Sequence, residues 1–261
     1  MWDPTTYLRF GDERSRPFAD LLARVAADTP REVYDLGCGP GTLTGTLADR
    51  WPDARVHGMD SSPDMIARAV AAGGPVRYAV GDVRSWVPGP AVDVVVSNAV
   101  LHWVPGHEQL LTGWAERLPA GAWLAVQVPG NDDAPSHRAL RSVAADPAFV
   151  GRLSDAVRPR PVPAAAEYAR LLARAGCAVD AWETTYTHVL PVGPDGGHPV
   201  LRWLEGTALR PARAALGDGP EWADFQRALA ERLAAAYPVD GGVAYFPFRR
   251  VFVVARTAGG R

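Results

Sequence analysis

The chain has 261 residues, 48% of them hydrophobic, and a formal net charge of −2. A chain of this length buries about 70–75% of its unfolded surface without a disulfide or metal staple, and its ordinary composition excludes collagenous, disordered and membrane-spanning classes. All 27 basic residues are arginines, which excludes a catalytic or Schiff-base lysine. Against 29 acids they leave no nucleic-acid footprint. Two cysteines, Cys38 and Cys177, cannot build a disulfide framework. The first residues lack an apolar signal segment, and no apolar run is long enough for a membrane helix. These readings predict a cytoplasmic enzyme with no nucleic-acid or membrane partner, and leave its oligomeric state open.

In chain order, Val33–Leu36 reads as a strand that ends at a glycine cluster, and 41–50 as the helix after it. Arg55–Asp60 is a second strand. The segment 63–72 is a helix, with Ser61 or Ser62 as its N-cap and Pro63 in its first turn. Strands follow at 76–80, 92–97 and 123–128, with a helix at 109–117 before the last. This alternation predicts a parallel sheet covered on both faces. The run Val92–Val96 is nearly all apolar, as a doubly buried strand should be. The second half differs. It predicts a helix at 163–175 stopped by Gly176. Two β-rich stretches, 179–190 and 244–255, are expected to pair as an antiparallel hairpin. Helices at 199–208 and 220–236 lie between them. The predicted fold is α/β: a Rossmann-like, mainly parallel seven-stranded sheet with a C-terminal antiparallel hairpin. Its core is expected at 1–130, 163–192 and 243–261, with 131–162 and 193–242 inserted as a helical cap over the ligand edge of a single domain.

The most informative stretch is Asp35-Leu36-Gly37-Cys38-Gly39-Pro40-Gly41, between a strand and a helix, where open parallel sheets bind nucleotides. Its spacing is Gly-x-Gly-x-Gly rather than the Gly-x-Gly-x-x-Gly of dinucleotide sites. Pro40 also removes a backbone donor that a pyrophosphate wants. S-adenosylmethionine, with ribose and adenine but no phosphate, fits such a loop. Asp60 closes the second strand, where a carboxylate can accept both ribose hydroxyls. Asp82 and Val83 close the third, placed for the adenine edge. Asp35 directs negative charge toward a ligand's ammonium and sulfonium. A nicotinamide-dependent reductase is disfavoured by the loop spacing.

This pattern, with Ser97-Asn98 at the fourth strand end, resembles the class I S-adenosylmethionine-dependent methyltransferases. The resemblance implies that Asp35, Gly37, Gly39, Asp60, Ser61, Met65, Asp82, Val83 and Asn98 hold the cofactor, which leaves as S-adenosylhomocysteine. Asn98 is implied to face the methionine end.

A narrower set of segments is similar to the trans-aconitate methyltransferases. These are Trp2-Asp3-Pro4, Glu13 to Pro17, Asp60 to Pro63 with Met65-Ile66, Ser97 to Trp103, Gln127 to Asn131, Ser136-His137, Trp182 to His188 and Phe248 to Phe252. The similarity spans nearly the whole chain. One departure is Phe248-Arg249-Arg250, where Phe-Pro-Arg is expected. The implied reaction is methylation of one carboxylate of a small polycarboxylate, with Tyr7, Arg14, His102, Trp103, Asn131, Tyr186 and Arg250 as substrate residues. No catalytic base is expected, because a carboxylate is already ionised at neutral pH. Arginines suit its remaining carboxylates. Arg249 and Arg250 alternate across a regular strand, so one of them faces the site, and Arg250 is the expected one. Each of these residues also has a plainer reading: an edge arginine, a solvated N-terminal helix, a packing histidine or a core aromatic. Six scattered histidines show no metal-ligand spacing, so no metal is expected. Two further alternatives are a methyltransferase for an unrelated metabolite and a non-catalytic S-adenosylmethionine-binding protein.

Overall fold

The structure, a computed structural model, describes residues 11–194 and 196–258, with side chains from residue 15 onward. Tyr7 and the side chain of Arg14 therefore lie outside the described residues. Eight strands form one sheet: β1 (Glu32–Leu36), β2 (Arg55–Asp60), β3 (Arg77–Val80), β4 (Val92–Asn98), β5 (Trp123–Pro129), β6 (Cys177–Pro191), β7 (Val239–Asp240) and β8 (Val243–Thr257). The order is β3-β2-β1-β4-β5-β8-β6, with the two-residue β7 added beside β8. β1 to β5 are mutually parallel, and β8 runs antiparallel to β5. The mainly parallel sheet with its C-terminal antiparallel pair is thus the expected one. The extra strand β7 falls in a stretch too short to show any periodicity.

The chain forms two compact units. One comprises the described parts of Met1–Pro129, Val162–Thr184 and Arg250–Arg261; the other comprises Gly130–Pro161 and Thr185–Arg249. β6 and β8 each pass from one unit to the other, with crossings at Thr184–Thr185 and Arg249–Arg250.

In the first unit the central strands are apolar on both faces. Val94, Val95 and Val96 of β4 and Leu124 and Ala125 of β5 are fully buried, as helices covering both sides of a parallel sheet require. The helix after β1 starts at Thr44, later than the sequence suggests. Gly37, Gly39 and Gly41 all adopt positive φ, at 84°, 55° and 79°. A helix cannot start through such residues, so the loop runs on to residue 43. The helix Pro63–Ala71 is capped by Ser62, whose side chain accepts from the Met65 amide at 3.4 Å. Ser61 is exposed beside it. Among the described residues no helix is long and apolar enough to cross a membrane.

Two helices of this unit, His107–Arg117 and Ala165–Arg174, are joined by a buried pair. The His107 ring accepts at Nε2 from the Tyr168 hydroxyl at 2.6 Å, while its Nδ1–H donates to the Val104 carbonyl at 3.1 Å. The tautomer follows from that carbonyl, which can only accept. Burial pushes the Tyr168 phenol up, so it remains a donor.

The second unit is helical, with Pro135–Ala144 and Pro220–Ala236 as its principal pair. Its apolar centre is aromatic: the His188 ring stacks on Trp203 at 4.5 Å, with Phe246 and Phe248 around them. His137 is held neutral there, its pKa lowered to about 4 chiefly by burial.

Tyr168→Phe leaves the His107 Nε2 lone pair buried without a donor. We expect the first unit to lose about 1–3 kcal/mol of stability, read as a lower urea midpoint with an unchanged denaturant slope.

Candidate functional site

The site is built by register. Side chains of directly paired residues in neighbouring strands share a face, as do residues two apart along one strand. Asp35 of β1 pairs with Gly58 of β2 and Val96 of β4. Asn98 of β4 pairs with Gln127 of β5, and Gln127 pairs with Phe252 of β8. Two-residue steps then bring in Asp60 from Gly58, Asn98 from Val96 and Arg250 from Phe252. One face across β2, β1, β4, β5 and β8 therefore carries Asp60, Asp35, Asn98, Gln127, Arg250 and Phe252. The polar members sit toward the carboxyl ends of the parallel strands, where open α/β sheets take their ligands.

The glycine loop closes on this face through backbone contacts. The Gly37 and Cys38 amides both donate to the Met59 carbonyl, at 2.7 and 3.0 Å. A Cβ on Gly37 would lie 2.1 Å from the Val100 side chain, so the loop and the segment after β4 fit only through a glycine. The Tyr78 ring fills the space beside Gly58 and Gly41, and its hydroxyl donates to the Gly41 carbonyl at 3.3 Å. Asp60 braces the loop from β2: its Oδ2 accepts from the Gly39 amide and its Oδ1 from the Ser62 amide, each at 2.9 Å. Each oxygen keeps a lone pair for a ligand hydroxyl.

Asp35 is almost wholly buried and accepts at Oδ2 from the Thr44 hydroxyl at 2.6 Å. Burial is the main reason its pKa rises from 3.8 to about 6; the Thr44 hydrogen bond opposes the rise and the nearby Asp60 charge adds to it. The resting chain thus holds an acid it ionises reluctantly.

Asn98 ends β4 with its Oδ1 buried and without a hydrogen-bond partner among the described residues. The next residue, Ala99, has φ of 58°, the left-handed region that non-glycine residues enter at a cost. Its amide donates to the Gln127 carbonyl at 2.9 Å. This turn delivers the short helix Leu101–Trp103, where the half-buried His102 and Trp103 rings lie 4.8 Å apart.

Other predicted residues make contacts of their own. Asp82 is gripped by Arg84 through both its backbone amide and its guanidinium, and this pairing lowers its pKa. Val83 and Met65 are buried in the core. In the second unit the Asn131 amide bonds both ways to the Arg249 backbone, donating to its carbonyl at 2.9 Å and accepting from its amide at 2.8 Å. Tyr186 is buried in the same unit. Arg249 turns its guanidinium to the Gly130 carbonyl at 3.1 Å.

Arg250 is 5% exposed and donates to the Gln127 Oε1 at 3.4 Å. Beside it Phe252 stacks flat on Trp182, with 4.7 Å between centroids. Thr44, Tyr78, Ala99 and Gln127 were not singled out from the sequence. Only Gln127 carries a local signal, as the one polar side chain inside the apolar strand Trp123–Pro129.

Known proteins show what this arrangement belongs to. Residues 33–121 match the family model described as a methyltransferase domain. The trans-aconitate 2-methyltransferase of Mycobacterium sp. (strain KMS) is 55% identical over 260 residues, covering 98% of this chain and 100% of that protein. The chain belongs to the trans-aconitate 2-methyltransferase family. A family member from Rhodococcus jostii is 53% identical and one from Mycobacterium tuberculosis 48%, each over at least 98% of both chains. Solved structures agree on the fold. The YcgJ protein of Bacillus subtilis superposes with a TM-score of 0.61 at 14% identity, covering 94% of this chain and 100% of that one. Phosphoethanolamine N-methyltransferase 2 of Haemonchus contortus, solved with S-adenosyl-L-methionine, gives 0.54 at 16%, covering 93% and 52%.

The Asp35 carboxyl carries a pH signature. It is protonated more readily in the folded chain than in the unfolded one, so its contribution to stability is complete below pH 3.8 and is lost as pH rises through about 6. Asp35→Asn, which keeps an acceptor for Thr44, should match the wild type near pH 4. By pH 7–8 it should be more stable by about 3 kcal/mol. Chemical denaturation at a series of pH values checks this, and a constant difference between the two would sink it.

Proposed function

We propose that the chain transfers a methyl group from S-adenosylmethionine to one carboxylate of trans-aconitate or a closely similar tricarboxylate, giving a monomethyl ester, in the cytoplasm. The observation that carries this is the division of charge on one sheet face: two carboxylates, Asp35 and Asp60, at one end and a buried arginine, Arg250, at the other. Full-length kinship with trans-aconitate 2-methyltransferases supports the same reading.

The residues present suit the cofactor. Asp35, Asp60 and the buried Asn98 Oδ1 are acceptors, matched to a ligand that offers an ammonium and ribose hydroxyls. Two acids beside the loop would repel a pyrophosphate. Asp60 would accept from the ribose, and Asp35 and Asn98 would face the methionine end. When bound, the cofactor supplies a methyl group activated by its sulfonium.

The chain's own work is positional. The substrate carboxylate is ionised without help, its ordinary pKa lying near 4, so no proton has to be moved. Arg250 presents a permanently charged planar fork for a carboxylate remote from the reacting one. Trp182 and Phe252 form an apolar wall beside it, which keeps water from the fork and strengthens its hold. Orientation of this kind accounts for a large part of the rate enhancement when two reactants are held in line.

Three measurements test the reading. A screen of di- and tricarboxylates with labelled cofactor should give turnover only with polycarboxylates. Equal kcat/KM on an acid and on its amide-substituted analogue would favour an unrelated substrate. Arg250→Lys keeps the charge but loses the fork, and should lower kcat/KM by about 10–100-fold. S-adenosylhomocysteine affinity should hardly change, and Arg249→Lys should be nearly silent. Asp60→Ala should weaken S-adenosylhomocysteine binding by about 10–150-fold in calorimetry, as expected when hydrogen bonds to a charged acceptor are lost.

A further inference from the structure

Gln127 is fully buried in β5 between Asn98 of β4 and Phe252 of β8. Its Oε1 accepts from the Arg250 guanidinium, and its Nε2 is buried with no hydrogen-bond partner among the described residues. The orientation of this amide is settled by chemistry. A guanidinium only donates, so the amide oxygen must face Arg250 and the NH2 must face away from it. The sequence thus places a fixed donor beside a fixed cation, on the face that also carries Asp35, Asp60 and Asn98. A buried donor that no described protein group satisfies is rare and calls for an explanation. A carboxylate answers it, because it is acceptor-only and has lone pairs enough for both groups.

We infer that Gln127 is a specificity-determining residue that donates from Nε2 to the same substrate carboxylate that Arg250 grips. The inference rests on the tricarboxylate reading given above. Arg250 supplies the charge; Gln127 supplies a directional hydrogen bond that distinguishes a carboxylate from an amide or ester at that position. An amide there would turn its own NH2 against one of the two donors, and a site built around such donors rejects the mismatched analogue strongly.

The test is a double cycle across enzyme and substrate. Gln127→Met keeps length and packing but removes the amide. With trans-aconitate it should lower kcat/KM by about 10–50-fold, carried in KM, as loss of one charge-assisted hydrogen bond implies. The monoamides of trans-aconitate at each carboxylate are then compared. The one on which Arg250→Lys no longer has an effect identifies the gripped carboxylate. On that analogue Gln127→Met should cost at most about threefold, since partners in one interaction are non-additive. S-adenosylhomocysteine affinity should stay within twofold, and the thermal midpoint should fall by no more than a few degrees, because besides the unpaired donor the variant deletes only the Oε1 acceptor that faces Arg250. Equal losses on acid and amide overturn the inference and make Gln127 a neighbour only. A collapsed midpoint with unchanged KM overturns it too and makes Gln127 a packing residue. A wild-type chain that turns over no tricarboxylate overturns the functional reading itself, and this assignment with it.

Discussion

The buried carboxyl of Asp35 is the constraint around which the rest of the first unit is arranged. It stands at the last turn of β1, nearly out of reach of water, and it ionises only near pH 6 because burial disfavours its charge. Thr44 offsets part of that penalty, and Thr44 can do so only because the helix after the loop begins at that residue. The helix begins there because three glycines with positive φ hold the preceding loop in a path no other residue follows comfortably. Tyr78 and Val100 occupy the space that Gly37, Gly41 and Gly58 leave. Loop, strand ends and acid are therefore one packed unit. Its unfavourable element, the acid, is compensated in part by the Thr44 hydroxyl. Local cost held in place by surrounding packing is the usual mark of a binding site.

Register extends this logic to the other side of the sheet. Because paired residues share a face, five strands deliver their polar residues to one surface without any loop having to be ordered first. The backbone of Ala99 is strained to make that surface continuous. Its amide joins the carbonyl of Gln127, and the Ser97 hydroxyl donates to the Leu36 carbonyl at 3.0 Å. The ends of β1, β4 and β5 are so tied at the positions where ligand groups are expected. Rigid strand ends hold such groups more accurately than loops do.

Much of this was legible in the sequence. The strand–helix alternation, the apolar β4 run and the glycine cluster each have a single physical reading, and the sheet follows from them. Alternation along the last strand separated Arg249 from Arg250, and the structure places Arg250 on the face of Gln127 and Phe252. Other features left no trace in spacing. Gly41 reads as a helix start by composition, and only its φ of 79° removes it. Asn131 belongs to a family-like segment, and its side-chain bonds to the Arg249 backbone, 118 residues on, are visible only in space. The His107–Tyr168 bond joins residues 61 apart, a distance across which no periodicity speaks. Tyr78 matters because two distant glycines make room for it, which is visible only in space.

The span of the family match separates the two halves of the site. The general methyltransferase model covers residues 33–121. It holds Asp35, Gly37, Gly39, Asp60, Asp82 and Asn98, the acidic end that a shared cofactor would need. Gln127, Asn131, Tyr186 and Arg250 all lie beyond it. Structures at 14–16% identity reproduce the fold, and a fold alone does not choose a substrate. Relatives at 48–55% identity run through the remaining strands as well. The substrate candidates from Gln127 onward thus lie outside the segment that the general model covers, while the glycine loop lies inside it. A buried cation constrains what can stand beside it. Arg250 is buried beside Gln127 and the Phe252–Trp182 stack, and a neutral group set against a buried guanidinium forgoes the charge-assisted bond that a carboxylate would make, so anions are favoured there even where the chemistry of the methyl group does not require one.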